Sequence, residues 1–268
     1  MQNDHWPAWV KRYGSYALVT GASEGIGRSF AQALAKAGMN VLLVARRDDR
    51  LNALAKELEA QYKILCPVIK ADLSNPAQLE ALFQLTDPLD IGLVVCNAGF
   101  GTAGDFLAND IEVEMNMLAL NCTGVTRLVH HMGLKFKGKG TGGVILLSSI
   151  LATQGVARSA HYAATKAYIH TLGEGLQQEW SGTGLDLLIV APGPVATGFA
   201  QRSGMQLGKT ASPDLVALQS LKALGRKKRI HPGWLAKCMA FALSTAPRWL
   251  RVKIMSAIMG SMTRHLHH

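Results

Sequence analysis

Beyond residue 200 the chain has almost no negative charge. Twelve of its 28 lysines and arginines lie there against one of its 18 acids, Asp214, so the last quarter carries +11 and the first 200 residues −1. Long apolar runs are missing as well. The longest uncharged stretches of the tail, Cys238 to Pro247 and Ile254 to Thr263, have ten residues each, well below the roughly 18–20 that cross a bilayer, so no membrane-spanning helix is expected. The first 20 residues hold no apolar core followed by a small-residue cleavage site, and no secretory signal is read. Cysteine is scarce: Cys66, Cys96, Cys122 and Cys238 follow neither metal-ligand nor disulfide spacing and read as reduced core thiols of a cytoplasmic protein. The closing His-Leu-His-His is not read as a metal site, and no metal is expected elsewhere. Linkers, long repeats and low-complexity tracts are absent too. With 49% hydrophobic and 17% charged residues among 268, the composition is that of a well-buried core, and residues 1–268 are read as one domain.

What is present begins with a strand, a glycine-rich turn and a helix. After a polar start with Trp6 and Trp9, Tyr16 to Thr20 reads as a short buried strand that runs into Gly21-Ala22-Ser23-Glu24-Gly25-Ile26-Gly27; Ile26, Phe30, Ala33, Leu34 and Ala37 then recur at helical spacing. Glycines there allow a tight turn and close approach of a pyrophosphate, which a helix N-terminus favours through its free amides and dipole. Asn40 to Ala45 reads as the second strand and ends in Arg46-Arg47. A fold preferring NAD usually places a carboxylate here, whereas a cation accommodates the 2′-phosphate of NADP, so Arg46 points to NADP. Asp48 and Asp49 are read as the acidic start of the next helix.

The alternation continues with a helix from about Asp49 to Gln61, a strand near Ile64 to Ile69, Asp72-Leu73, a helix from about Pro76 to Leu85, and a strand from Ile91 to Cys96 that ends in Asn97-Ala98-Gly99. Strands alternating with helices at this pace predict an α/β fold: a doubly wound parallel sheet of Rossmann type in three layers, with a helical C-terminal extension. Ligands in such sheets bind at the carboxyl ends of the strands. Residues 111–132 read as one long helix with a seam of Ile111, Met115, Leu118, Cys122, Val125, Val129 and Met132, assigned to the core or a subunit contact. Beside it Asn121 either braces the backbone or holds a water. Leu185 to Ala191 is another buried strand, ending in Pro192-Gly193-Pro194-Val195-Ala196-Thr197. Residues 194–230 are read as a substrate-loop region, mobile from Phe199 to Leu224 and containing Lys209. After the basic run Arg226 to Arg229, residues 231–268 form a basic, apolar helical tail.

The stretch Ser149 to Lys166 carries the chemistry. Tyr162 precedes Lys166 by four residues, which puts both on one helical face, one turn apart. An ammonium near a phenol favours the phenolate and is expected to draw the tyrosine pKa down from roughly 10, making Tyr162 a proton donor and acceptor. Ser149 follows the β-type run Val144 to Leu147, where it can hydrogen-bond a carbonyl or alkoxide oxygen. Around Tyr162 the helix shows a small-residue seam of Ala160, Ala163, Ala164, Ala167, Thr171 and Gly175, read as core packing or as the contact of a symmetric dimer.

Together these residues resemble the short-chain dehydrogenase/reductase family, in its single-domain branch, over roughly residues 14–200. Thr20 to Gly27 resembles the cofactor turn, Asn97-Ala98-Gly99 the fourth-strand motif, and Asn121, Ser149, Tyr162 and Lys166 the catalytic set. The Leu-Val-Ala-Arg-Arg and Pro-Gly-Pro-Val-Ala-Thr-Gly-Phe segments are most similar to the ketoacyl-reductase and 17β-hydroxysteroid-dehydrogenase-like subgroup. The resemblance implies NADP(H)-dependent carbonyl–alcohol interconversion on a largely apolar substrate, a fatty acyl thioester, a steroid-like ketone or another ketone, as a homodimer or homotetramer. It also implies roles. Tyr162 exchanges the proton, Ser149 stabilises the oxygen, Lys166 lowers the tyrosine pKa and binds the nicotinamide ribose, and Asn121 holds a water linking Lys166 to solvent. Gly21, Ser23, Gly25, Ile26, Gly27, Arg46, Asp72, Leu73, Asn97, Ala98 and Gly99 would hold the adenosine and pyrophosphate side, and Pro192, Gly193, Val195 and Thr197 the nicotinamide side. Glu24 and Cys96 depart from the family pattern, and Glu24 adds an anion near the pyrophosphate turn. A non-catalytic NADPH-binding regulator on the same fold is the alternative, disfavoured by the complete proton-transfer set. The basic tail is either a solvated surface or a peripheral contact with anionic lipid; nucleic acid is not expected, because no aromatic stacking platform or known motif accompanies the charge.

Overall fold

The computed structural model describes residues 12–266 except Leu207 and Lys209, with Gln201 described by its backbone alone. Trp6, Trp9, Lys209 and the final two histidines lie outside the described residues. The elements alternate: β1 Tyr16–Thr20, α1 Gly25–Lys36, β2 Asn40–Ala45, α2 Asp48–Tyr62, β3 Val68–Lys70, α3 Pro76–Thr86 and β4 Ile91–Cys96. Then come α4 Ile111–Leu118, a wide π turn Ala119–Gly124, α5 Val125–Lys139, β5 Gly142–Leu147, α6 Ala160–Glu179, β6 Leu185–Val190, α7 Gly198–Arg202, α8 Pro213–Ala223, β7 Arg229–Ile230, α9 Trp234–Thr245 and α10 Arg248–Met262.

All seven strands are parallel, in the order β3-β2-β1-β4-β5-β6-β7. The strands read as unbroken apolar runs because both faces are covered. On one face Val41 and Leu43 of β2 pack with Phe30 and Leu34 of α1 and Leu51 of α2. On the other, Leu42 and Val44 pack with Leu79 and Leu82 of α3, while Leu128 and Phe136 of α5 cover the middle of the sheet. The chain reverses its direction of winding between β1 and β4, so a crevice opens at their carboxyl ends.

Three expectations are corrected. The strand placed at Ile64 to Ile69 spans only Val68–Lys70; Pro67 has no N–H to give to the ladder, although the carbonyls of Leu65 and Pro67 still accept from β2. The single helix over 111–132 is interrupted by the π turn that contains Asn121 and continues to Lys139. The segment Phe199 to Leu224 is not a mobile cover throughout. Its second part is α8, started by Ser212, whose hydroxyl accepts from Leu215 N at 3.2 Å, with Pro213 in the first turn. Ser29 Oγ donates to Asp214 Oδ1 at 2.6 Å, and Val216, Ala217 and Leu221 join the core beside α1. The basic run Arg226 to Arg229 leads directly into the edge strand β7.

The two seams are each divided between core and surface. Ile111, Met115 and Leu118 are exposed while Cys122, Val125, Val129 and Met132 are buried. In α6 the small residues Ala160, Ala164, Thr171 and Gly175 are exposed, while Ala163 of the same seam is buried and makes the core contact with Ile169 and Gly173. Among the cysteines, Cys66, Cys96 and Cys122 are buried as expected and Cys238 is exposed on α9. Among the described residues no helix is long and apolar enough to cross a membrane.

Candidate active site

The turn between β1 and α1 is shaped by contacts that only glycine permits. Gly21 has φ +65, and a Cβ on Gly27 would stand 2.2 Å from the Gly21 carbonyl oxygen. Gly27 therefore packs the helix onto the turn and does not itself line the cavity, unlike Gly21, Ser23, Gly25 and Ile26. Asn97 braces the turn from the side, donating from Nδ2 to the carbonyls of Thr20 at 2.9 Å and Gly21 at 3.3 Å. Thr20 Oγ1 in turn accepts from the amides of Asn97 and Ala98, each at 3.0 Å.

Glu24 occupies the N-cap position of α1 but makes no capping hydrogen bond. Its carboxylate faces Arg47 at 2.8 Å, Arg50 at 3.1 Å and Arg202. Burial raises its pKa, yet Arg47 and Arg202 outweigh burial and hold the carboxyl below the usual glutamate range. The first-turn amides of α1 are thus left without a side-chain acceptor, a donor set suited to a pyrophosphate. The anion that departs from the family pattern is compensated by Arg47, Arg50 and Arg202. At the end of β2, Arg46 is 61% exposed and only loosely engaged, 3.6 Å from Asp72. Asp72 is otherwise held by the amide and hydroxyl of Ser74.

Ser149, Tyr162 and Lys166 converge where β5 ends and α6 begins. Ser149 is the first residue past Ser148 and the end of β5, and its Oγ accepts from Leu151 N at 3.1 Å. Tyr162 and Lys166 lie one turn apart on the buried face of α6. Lys166 Nζ donates to the Leu147 carbonyl at 2.8 Å and lies 5.8 Å from the centre of the Tyr162 ring. The expected depression of the tyrosine is not found: burial pushes the phenol pKa above its ordinary value, and the Ser149 hydroxyl offsets only part of that. The physical reason is burial of the phenol, which disfavours its charged form; the Lys166 ammonium is hydrogen-bonded to the Leu147 carbonyl. Burial also pushes Lys166 down, to about 8, against a small opposing influence of Cys122.

Asn121 takes the bracing role. Its Oδ1 accepts from Phe100 N at 3.1 Å, and its Nδ2 donates to Phe100 O at 2.8 Å and Thr165 Oγ1 at 3.1 Å. The π turn aims it there; such wide turns recur at functional sites. It ties the segment after Gly99 to the residue preceding Lys166, behind the cavity wall.

One cavity of about 490 Å³ joins these parts. Its lining includes Arg46, Asp72, Leu73, Asn97, Ala98 and Gly99 at the dinucleotide side, and Ser149, Tyr162, Lys166, Pro192, Gly193, Val195 and Thr197 near the reacting groups. Beyond Tyr162 it is bounded by methionines that no motif announces: Met205, Met239 of α9, and Met255, Met259 and Met262 of α10. Phe199 of α7 stacks obliquely on Tyr162 with ring centres 5.3 Å apart. A cluster of methionines in the basic, apolar tail was the one available signal, and it reads equally as ordinary core.

A nucleotide-sized crevice at the winding reversal, beneath an uncapped glycine turn and beside a buried tyrosine–lysine pair, belongs to the dinucleotide-binding oxidoreductases. Within them, this chain belongs to the short chain dehydrogenase family, whose sequence profile matches residues 15–207. It is 33% identical over 190 residues to the 7beta-hydroxysteroid dehydrogenase of Collinsella aerofaciens, spanning 70% of this chain and 71% of that one. A structure solved for insight into 7beta-hydroxysteroid dehydrogenase stereoselectivity superposes with a TM-score of 0.85 at 27% identity, covering 91% of this chain and 98% of that one. A short-chain dehydrogenase from Sphingobium yanoikuyae in complex with NADPH gives 0.77 at 29% identity, covering 86% and 93%. The chain is an oxidoreductase of a family that acts on CH–OH groups with a nicotinamide cofactor.

Proposed function

We propose that the chain is an NADP(H)-dependent enzyme interconverting a carbonyl and a secondary alcohol on a large, apolar substrate, with a steroid-like ketone ahead of a fatty acyl thioester. The observation that carries this reading is the lining of one cavity by the glycine-rich turn, by Ser149, Tyr162 and Lys166, and by methionines of α9 and α10. When bound, the nicotinamide supplies the hydride in reduction and accepts it in oxidation. Tyr162, kept neutral by burial, gives its proton to the substrate oxygen in reduction and recovers it in oxidation. Ser149 donates to that oxygen and fixes its position. Lys166 places a positive charge beside the phenolate that Tyr162 becomes, and Asn121 holds the backbone against which Lys166 packs.

For the cofactor, Gly21, Ser23, Gly25 and Ile26 would cradle the pyrophosphate, with Gly27 shaping the turn. Asp72, Leu73 and the Asn97-Ala98-Gly99 segment would face the adenosine, and Pro192, Gly193, Val195 and Thr197 the carboxamide. Preference for NADP rests on Arg46, an exposed guanidinium at the end of β2 with no carboxylate at that strand end. Support for the substrate class comes from the apolar roof and from the hydroxysteroid dehydrogenases among the relatives.

The test is consumption of NADPH and NADH across ketosteroids, 3-ketoacyl thioesters and aromatic ketones. Tyr162→Phe is expected to lower turnover about 100-fold or more while leaving NADPH binding intact. Near-normal turnover by that variant removes Tyr162 from the mechanism. NADPH binding without turnover across the panel moves the reading to a cofactor-sensing regulator.

A second reading concerns where the enzyme works. On α9 Trp234 and Phe241 are 72% and 73% exposed on one helical stripe with Cys238 between them, and Trp249 at the start of α10 is 62% exposed. Lys237, Arg248 and Lys253 are exposed among them. We infer a peripheral contact with anionic lipid, since aromatic and basic side chains together favour the interface.

A further inference from the structure

Between Ser149 and the helix of Tyr162 the backbone takes a turn that ordinary side chains avoid. Arg158 has φ +64, inside the left-handed region that favours glycine. Among the described residues only Lys63 shares this conformation without being glycine, and Lys63 closes the C-terminus of α2, where it is common. At Arg158 the conformation is held by partners. Its carbonyl accepts from Gly104 N at 2.9 Å. Its guanidinium reaches the end of α10, Nε donating to Thr263 Oγ1 at 2.6 Å and Nη2 to the Thr263 carbonyl at 3.0 Å.

The fork is built into the fold on both sides. Thr263 is fully buried, and its hydroxyl passes its own hydrogen to the Met259 carbonyl at 2.8 Å. A cation at a helix C-terminus is favoured by the helix dipole. No carboxylate among the described residues pairs with Arg158, so this charge is given to α10. One residue earlier, Ala157 N donates to Ser256 Oγ at 2.9 Å, so the same loop grips α10 at its middle and at its end. A further main-chain tie among the described residues is Gln206 N to Met262 O at 2.9 Å.

What α10 does explains why it is gripped. Met255, Ile258, Met259 and Met262 line the cavity, and Met255 and Met259 share an apolar cluster with Ile150, Leu151 and Tyr162. The loop that holds α10 runs directly into α6, so roof and proton donor are joined through residues 157–160. We propose that Arg158 is a positioning residue that fixes α10 as the roof of the substrate cavity and thereby sets how tightly a bulky carbonyl substrate is held over Tyr162. This rests on the reductase reading above. A small ketone that does not reach the methionines is indifferent to the clamp, whereas a polycyclic or long-chain ketone depends on it.

The test uses the whole chain with Arg158→Gly, which relieves the left-handed strain while removing the fork, and Arg158→Lys, which keeps the charge without the fork. Hydrogen exchange of the substrate-free protein is expected to show faster exchange in α10 in both variants, with α6 and the sheet unchanged. Steady-state kinetics is expected to show KM for a bulky ketone raised about tenfold, with kcat and the constants for a small ketone within about twofold. Unchanged α10 exchange in both variants overturns the clamp, and equal losses for small and bulky substrates overturn its role in selection. Should Arg158→Gly lose protection throughout the sheet, Arg158→Lys decides on the same two readouts, with Thr263→Val beside it as the variant that removes the hydroxyl accepting from Arg158 and donating to the Met259 carbonyl. A wild-type protein that turns over no carbonyl compound refutes the reductase reading, and the exchange data then judge the clamp alone.

Discussion

Lys166 is a buried ammonium at the cavity wall whose one hydrogen bond in the structure runs to the Leu147 carbonyl, and its chemistry follows from that burial. Burial lowers its folded pKa to about 8 against 10.5 for an ordinary lysine. Below pH 8 the lysine is charged both folded and unfolded, and the full cost of burying the charge is present. Between pH 8 and 10.5 the unfolded chain holds more protons than the folded one, so stability rises with pH through that window. Lys166→Met is therefore expected to be more stable than the parent at pH 7, by about 1–3 kcal/mol less the hydrogen bond lost at Leu147. That advantage shrinks between pH 8 and 10.5. Thermal unfolding of both proteins at pH 7 and pH 10.5 measures it, and an advantage that does not shrink rejects burial as the cause. A residue that destabilises its own fold and is nevertheless present points to its use in the reaction.

At the scale of elements, cofactor choice sits at the end of one strand. Arg46 follows β2 with its guanidinium largely in solvent, whereas its neighbour Arg47 is already taken by Glu24 and by Ser23 Oγ at 3.2 Å. Arg46→Ala is expected to lower kcat/KM for NADPH about tenfold or more and leave that for NADH nearly unchanged; equal losses with both cofactors would reject Arg46 as the discriminating cation. This site was legible because it sits at strand ends, and strand ends are announced by buried runs that stop at Gly21, Arg46, Asn97, Ser149 and Pro192. The roof was not legible. Met255 and Met259 lie at a spacing that serves a core helix as well as a cavity, and only the tertiary path of α10 distinguishes the two. Likewise the π turn leaves no mark beyond Asn121 itself, and α8 was hidden by weak periodicity although Ser212-Pro213-Asp214 is a helix start. The direction of the Tyr162 shift also lay beyond sequence, because four-residue spacing gives proximity to Lys166 but not the burial that raises the phenol.

For the whole molecule, the separation of charge and the path of the last two helices act together. The basic excess of +11 beyond residue 200 opposes close contact between two copies of this surface and favours an anionic counterpart. The outer stripe of α9 offers Trp234 and Phe241 to solvent while Met239 on the same helix lines the cavity, so one helix meets both the surroundings and the substrate space. An apolar substrate that partitions into lipid would then be encountered where the roof already lies. Flotation with vesicles of anionic phospholipid at low salt is expected to carry the protein upward. Neutral vesicles, or raised salt, should leave it below, because screening removes the cationic attraction. Replacing Trp234 and Phe241 together by serine is expected to reduce flotation at constant charge. If the aromatic residues prove irrelevant while salt still matters, the contact is electrostatic only and fits an acidic protein surface as well; if neither matters, the basic tail is a solvated face.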